Sequence, residues 1–285
     1  GIETNRPLKD GVIADFDAAE QMIKEFIKSI PSLQNRLWTP SLRMVICIPS
    51  GITEVEKRAV RDSAEISGAK EVYLIHEPMA AAIGMGIEVQ EPRGNMIIDI
   101  GGGTTEIAVL SLGGIVKDKS IKVAGDIFTS DIRYFMRQNH NLVIGERSAE
   151  RIKIEVGAAL ENLEDTDKEI PEKWAVQGRD QTTGVPKAVE VSYKEIARAL
   201  DASIKQIEDA IMQALAMTPP ELAADIYNSG IYLAGGGAML RGLDDRIRNK
   251  TDLPVYVGED PLRAVVRGTG IALKNIDQYD GVLMR

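Results

Sequence analysis

Apolar positions along the chain switch between helical spacing and short unbroken runs, and the switches mark the elements. Met22, Ile23, Phe26, Ile27 and Ile30 recur at helical spacing behind Asp15 and Asp17, either of which can cap the helix, and Pro31 ends it. Residues 44–48 are wholly apolar and predict a short buried strand, closed by Pro49-Ser50-Gly51. Thr53 and Glu56 have the spacing of a capping box, and the helix they open runs to about Ser67, before Gly68. Residues 72–75 read as the next strand, and the small residues 79–86 as a helix behind Glu77-Pro78. The order helix, strand, helix, strand, helix is a parallel α/β pattern.

Residues 88–94, with Pro92 and Gly94, read as a hinge into a second domain. Beyond it lie two apolar strands around three glycines, a third strand at 114–122 and helices at 127–139 and 149–161. An acidic loop follows at 162–171, then strands at 174–177 and 188–191 around Thr183-Gly184. A long amphipathic helix spans 193–216, and Pro219-Pro220 opens another that Ser229-Gly230 ends. Residues 231–237 repeat the pattern of an apolar strand followed by three glycines, with a helix from about Met239. A strand at 255–257 and a helix at 261–274 complete the reading.

The chemistry concentrates at Asp99-Ile100-Gly101-Gly102-Gly103-Thr104-Thr105, between two apolar strands. Gly101, Gly102 and Gly103 let the backbone approach a ligand and aim N–H groups at it, and Thr104 and Thr105 add hydroxyls. A carboxylate such as Asp99 at the end of a buried strand needs a metal, water or hydrogen-bond partner. The set suits a nucleotide phosphate with Mg²⁺; a plain glycine hairpin is the alternative.

Composition narrows the classes. The 285 residues are 44% hydrophobic and 27% charged, enough for two domains of ordinary globular character. A net charge of −9 speaks against nucleic acid as the main partner. One cysteine, Cys47, cannot form an internal disulfide and fits a reducing compartment; two histidines make a His/Cys zinc site a poor reading. No apolar run approaches the roughly 20 residues of a membrane span.

These motifs resemble a known family. Residues 99–105 look like the second phosphate loop of the actin, hexokinase and heat-shock chaperone ATPases, and Leu233-Ala234-Gly235-Gly236-Gly237-Ala238 like their adenosine motif. Glu77-Pro78-Met79-Ala80-Ala81-Ala82-Ile83-Gly84 is similar to their first connecting helix. With Gly145-Glu146-Arg147 and Ala149-Glu150-Arg151-Ile152-Lys153, the combination is closest to the bacterial actins of the MreB family. The resemblance implies an actin-like ATPase fold, two ribonuclease-H-like α/β domains around a nucleotide cleft. It implies a first domain from residues 1–88 and 261–285, a second from 89–127 and 210–260, and a subdomain at 128–209. Nothing before Arg6 matches the family's first phosphate loop. The first domain is therefore expected to be incomplete at its N-terminus and to lack its small subdomain, leaving the edge of its sheet uncovered.

The roles implied are specific. ATP or ADP is the cofactor, with Mg²⁺ held by Asp99 through water, and Gly101, Gly102, Gly103 and Thr105 around the phosphates. Glu77 orients or deprotonates the water that attacks the γ-phosphate and Thr104 helps hold it; an N-cap role for Glu77 is the alternative. Glu150 and Lys153, three apart on a helix, lie beside the nucleoside or form a surface ion pair. Gly235, Gly236, Gly237 and Ala238 pass close to adenosine, and Gly125-Asp126 closes another edge. Leu37 and Trp38 resemble a membrane-insertion loop, or pack on their own domain. Val55, Arg58 and Asp62 are implied contacts between paired protofilaments. The function implied is a slow ATPase that polymerises on the inner face of the cell membrane, with itself, lipid and the cell-wall elongation machinery as partners, and so maintains rod shape. A chaperone-like ATPase of the same superfamily would need a peptide-binding domain, and a small-molecule kinase a substrate acid or base beyond these motifs.

Overall fold

A computed structural model describes residues 7–9, 12–13, 15–31, 41–163, 170–171 and 173–285. Two short strands, β1 (Leu8–Lys9) and β2 (Val12–Ile13), pair antiparallel. Helix α1 (Phe16–Ser29) is capped by Asp15, whose carboxylate accepts the Ala18 N–H at 3.0 Å. Ala19 is the buried residue of this helix, while Phe26 and Ile30 are exposed.

Strands β3 (Leu42–Ile48) and β4 (Ala69–His76) are parallel and joined by α2 (Glu54–Ile66). The expected capping box is present: Glu56 accepts the Thr53 N–H at 2.8 Å, and the Thr53 hydroxyl accepts the Glu56 N–H at 3.3 Å. At the far end Gly68 adopts φ +106°, a conformation that stops the helix. Among the described residues β3 pairs with β4 alone, and it is half-buried over most of its length rather than buried. The outer edge of β4 exchanges two hydrogen bonds between Leu74 and Met284, 2.8 and 2.9 Å long, so the C-terminal residues extend this sheet.

Helix α3 (Glu77–Gly84) leads to the meander β5 (Asn95–Ile100), β6 (Thr105–Ser111) and β7 (Gly114–Ile121). Then come α4 (Gly125–His140), β8 (Leu142–Val143), α5 (Glu146–Val156), the hairpin β9 (Trp174–Asp180) and β10 (Pro186–Val191), and α6 (Tyr193–Ala216). The chain closes with α7 (Pro220–Ser229), β11 (Ile231–Ala234), α8 (Leu243–Thr251), β12 (Val255–Val257) and α9 (Ala264–Lys274). Helix α5 stops at Val156, short of the expected 161, because the chain turns extended at Gly157. The helix after the second glycine triplet starts at Leu243 rather than Met239. Residues Gly236–Met239 form a single 3₁₀ turn, and Gly242 at φ +72° sets the true start.

The main sheet has the order β12-β11-β5-β6-β7, with β11 and β12 parallel to β5 and the meander antiparallel. Both of its central strands are buried along their whole length. Alternation along the strands divides their side chains between two cores. Met96, Ile98, Ile100, Ile107 and Val109 face α4, α5 and α6, while Ile97, Ala108 and Leu110 face α3 and α9. This two-sided burial is why residues 96–100 read as an unbroken apolar run. Helices α3 and α9 cross at Gly84 and Gly268; a Cβ on Gly268 would fall 1.8 Å from the Ala80 carbonyl oxygen. That close crossing fixes α3, and with it Glu77, against the C-terminal part of the chain.

Candidate functional site

Strands β5 and β11 run side by side, and each ends in a glycine turn, so the two glycine motifs sit next to one another at one end of the sheet. Their contact is tight. Gly235 has φ +81°, and a Cβ there would lie 2.3 Å from the Ile100 carbonyl oxygen. Gly236 is exposed, Gly237 half-buried and Ala238 buried beneath the turn.

The loop 101–104 joins β5 to β6. Gly101 gives its N–H to the Thr104 carbonyl at 3.0 Å, so it closes the turn rather than offering a free amide. Gly102 is exposed, while Gly103 and Thr104 are half-buried. Thr105 departs from the expected role. It is fully buried, and its hydroxyl donates to the Val123 carbonyl at 2.6 Å, because alternation turns it to the opposite face of the sheet from Asp99. The N-terminus of α4 abuts this loop: Gly125 N–H donates to the Gly101 carbonyl at 3.1 Å and Asp126 N–H to Gly102 at 2.7 Å. The positive end of a 16-residue helix therefore lies beside the loop, a setting that favours an anion.

Lys153 of α5 closes the same corner. Its ammonium donates to the Gly125 carbonyl at 2.9 Å and pairs with Glu150 at 2.7 Å, and the Thr129 hydroxyl donates to Glu150 at 2.7 Å. The Lys153 side chain is 16% exposed and that of Glu150 44%, so the lysine reaches inward while the glutamate stays at the surface. Glu77 is the first residue of α3. The N-cap is His76, which makes no side-chain cap bond, so the capping reading of Glu77 does not hold.

Sequence reasoning missed Glu106. It stands directly opposite Asp99 in the β5–β6 register, is 1% exposed, and lies on the α3 face of the sheet. Its carboxylate accepts from the Ser120 hydroxyl at 2.6 Å and the Ser50 N–H at 3.2 Å. The signal was present: a lone glutamate inside the apolar run 105–111, seven residues from Asp99 across a hairpin. Three carboxylates thus share a confined region. Burial, then the charges of Asp99 and Glu106, pushes the Glu77 carboxyl up to about 7. Burial, then Glu106, pushes Asp99 up to about 6. Carboxylates crowded in this way are stabilised by a cation or a proton.

Comparison with known proteins decides the family. The sequence profile described as MreB/Mbl protein matches residues 1–281. The chain belongs to the MreB/Mbl family. The cell shape-determining protein MreB of Escherichia coli strain K12 is 49% identical over 282 residues, which are 99% of this chain and 79% of that protein. The cell shape-determining protein Mbl of Bacillus subtilis strain 168 is 46% identical over 273 residues, 96% of this chain and 79% of its own. The crystal structure of MreB5 of Spiroplasma citri bound to ADP superposes with a TM-score of 0.89 at 36% identity, over 97% of this chain and 80% of that one. The same MreB5 bound to AMPPNP gives the same values. A MamK double helical filament, 21% identical, has a TM-score of 0.77 over 95% of this chain and 80% of its own, and so shares the fold. The fold of this MreB/Mbl chain is actin-like, as the glycine motifs implied.

Other expected positions fall elsewhere. Val55, Arg58 and Asp62 lie along one exposed face of α2, away from the glycine turns. Leu37 and Trp38 lie outside the described residues. No helix among the described residues is long and apolar enough to cross a membrane.

Proposed function

We propose that this chain is a nucleotide-dependent cytoskeletal protein that binds ATP between its two α/β halves, polymerises with copies of itself, and hydrolyses ATP slowly as a timer of assembly. The halves are residues 1–88 with 261–285, and residues 89–127 with 210–260 bearing the subdomain 128–209. The observation that carries the reading is the pairing of two glycine turns on adjacent parallel strands, with three carboxylates converging on the α3 side of the sheet. Relatives that are cell shape-determining proteins, and an MreB5 structure bound to ADP, support it.

In this reading Gly102 and Gly103 and the α4 N-terminus receive the phosphates, and Gly235, Gly236 and Gly237 leave room for the nucleoside. Lys153 and Glu150 wall its other side. The Thr104 hydroxyl holds a water in line with the γ-phosphate. Glu77 accepts that water's proton as its oxygen bonds to phosphorus and the bond to the ADP oxygen breaks. A carboxyl that titrates near neutrality suits this exchange. Among the described residues no three His, Cys, Asp or Glu side chains are placed to hold a metal directly. Mg²⁺ would ride on the phosphates and on water held by Asp99, a hard oxygen donor set that fits it, and would neutralise phosphate charge.

Residues 37–38 as a lipid contact, the α2 face as a contact between protofilaments, and a place on the inner membrane beside the cell-wall elongation machinery complete the proposal. Phosphate release from ATP in the absence of any acceptor tests the catalytic part. Transfer of the phosphoryl group to a sugar or acetate without assembly would replace it with a kinase reading.

A further inference from the structure

We infer that Glu106 is a positioning residue: its carboxylate ties the β3–β4 sheet to the main sheet, and this tie sets where Glu77 stands over the nucleotide. The inference rests on the ATPase reading for its consequence and on geometry alone for the tie.

Ser120 lies directly across from Glu106 in the β6–β7 register and donates its hydroxyl at 2.6 Å. Ser50 follows β3 in the other sheet and donates its backbone N–H to the second carboxylate oxygen at 3.2 Å. One carboxylate therefore takes one bond from each body, in a place where it is 1% exposed. Bonds to an ionised acceptor are the stronger kind, and a buried acceptor left unmade is costly. The neighbouring contacts lead to the site. The Pro49 carbonyl lies 3.3 Å from Nδ1 of His76, and His76 directly precedes Glu77 at the start of α3. A Cβ built on Gly51, on the same turn, would lie 3.9 Å from Cβ of Ser120. Movement of the 49–51 turn away from β7 would break the Ser50 bond and move the His76 end of β4, carrying Glu77 with it. The Ser50 hydroxyl is buried at this junction and makes no hydrogen bond, so the turn holds a spare donor there.

The test uses the chain with Glu106→Ala, Glu106→Gln and Ser120→Ala. Glutamine can accept from the Ser50 N–H and donate to the Ser120 oxygen, so it preserves the tie without the charge. Nitroxides at Lys70→Cys and Arg133→Cys, exposed positions on the two bodies, report their separation in a Cys47→Ala background that removes the half-buried native thiol. Glu106→Ala is expected to broaden the distance distribution, Glu106→Gln to leave it narrow, and Ser120→Ala to fall between. At saturating ATP, Glu106→Ala is expected to lose at least tenfold in turnover with KM within about twofold, and Glu106→Gln to stay within threefold. An unchanged distribution in Glu106→Ala, or a Glu106→Gln variant that behaves like it, overturns the tie. Absence of phosphate release by the unsubstituted chain would instead remove the ATPase reading, while the distances would still decide the tie. Should Glu106→Ala not fold, Ser120→Ala decides: a distribution identical to the unsubstituted chain overturns the inference.

Discussion

A Cβ atom on Gly235 would lie 2.4 Å from Oδ1 of Asp99. The 235–237 turn and the Asp99 carboxylate are therefore in contact, at the ends of two paired strands. A side chain there must displace Asp99 or the Ile100 carbonyl, and Gly235 also holds φ +81°. Gly235→Ala is expected to destabilise the chain by about 2 kcal/mol or more and to abolish binding of a fluorescent ATP analogue. Thermal denaturation and nucleotide titration measure the two effects. An alanine variant that binds as well as the parent would separate the second turn from the site.

In the proposed mechanism Glu77 acts on the attacking water rather than on nucleotide affinity. Glu77→Ala is expected to keep ATP bound while phosphate release falls by about 10²-fold, the lower end of what a general base contributes. A coupled phosphate assay beside nucleotide titration reads both. Unchanged release would remove its catalytic role.

The buried acids also set the pH response of the nucleotide-free chain. Glu77 is pushed from the ordinary glutamate value of 4.5 up to about 7, and Asp99 from 3.8 up to about 6. Between the unfolded and folded values the folded state binds more protons, so unfolding free energy falls as pH rises. Stability is expected to drop from about pH 4.5 to about pH 7 and then to level, in the part that Glu77→Gln removes. Denaturant titrations of both proteins at pH 5, 6 and 7.5 give the difference, which should shrink the parent's advantage as pH rises. A constant difference would show that Glu77 is not held in a charge-averse place.

Most of the fold was legible because its signals are local. The Thr53–Glu56 capping box, the Tyr193–Ala216 helix and the Gly101–Gly103 turn each declare themselves within a few residues. Contacts between distant parts of the chain were not. The Met284 extension of the β3–β4 sheet, the Gly84–Gly268 crossing and the Ser50–Glu106 bond join segments 56 or more residues apart, and no periodicity marks them. The site was half legible. Glycines and Asp99 were recognisable by type, but whether Thr105 faces the ligand depends on strand parity, which the turn alone leaves open. The apolar stripe of α1 specifies an amphipathic helix and not what covers it.

Leu37 and Trp38 supply the amphipathic pair suited to a lipid interface. A single pair binds weakly, and many copies along a filament raise the avidity. Changing both to serine is expected to abolish co-sedimentation of ATP-assembled protein with anionic liposomes while leaving assembly intact. Equal liposome binding by the variant would leave these residues to packing within their own domain.

In the proposed function nucleotide drives this chain into filaments. Ultracentrifugation of the purified chain with Mg²⁺, with and without ATP, tests it most directly. ATP should move most of the protein to the pellet as filaments visible by electron microscopy, and EDTA should return it to the supernatant. Protein that binds ATP yet stays in the supernatant at every nucleotide concentration would contradict the account.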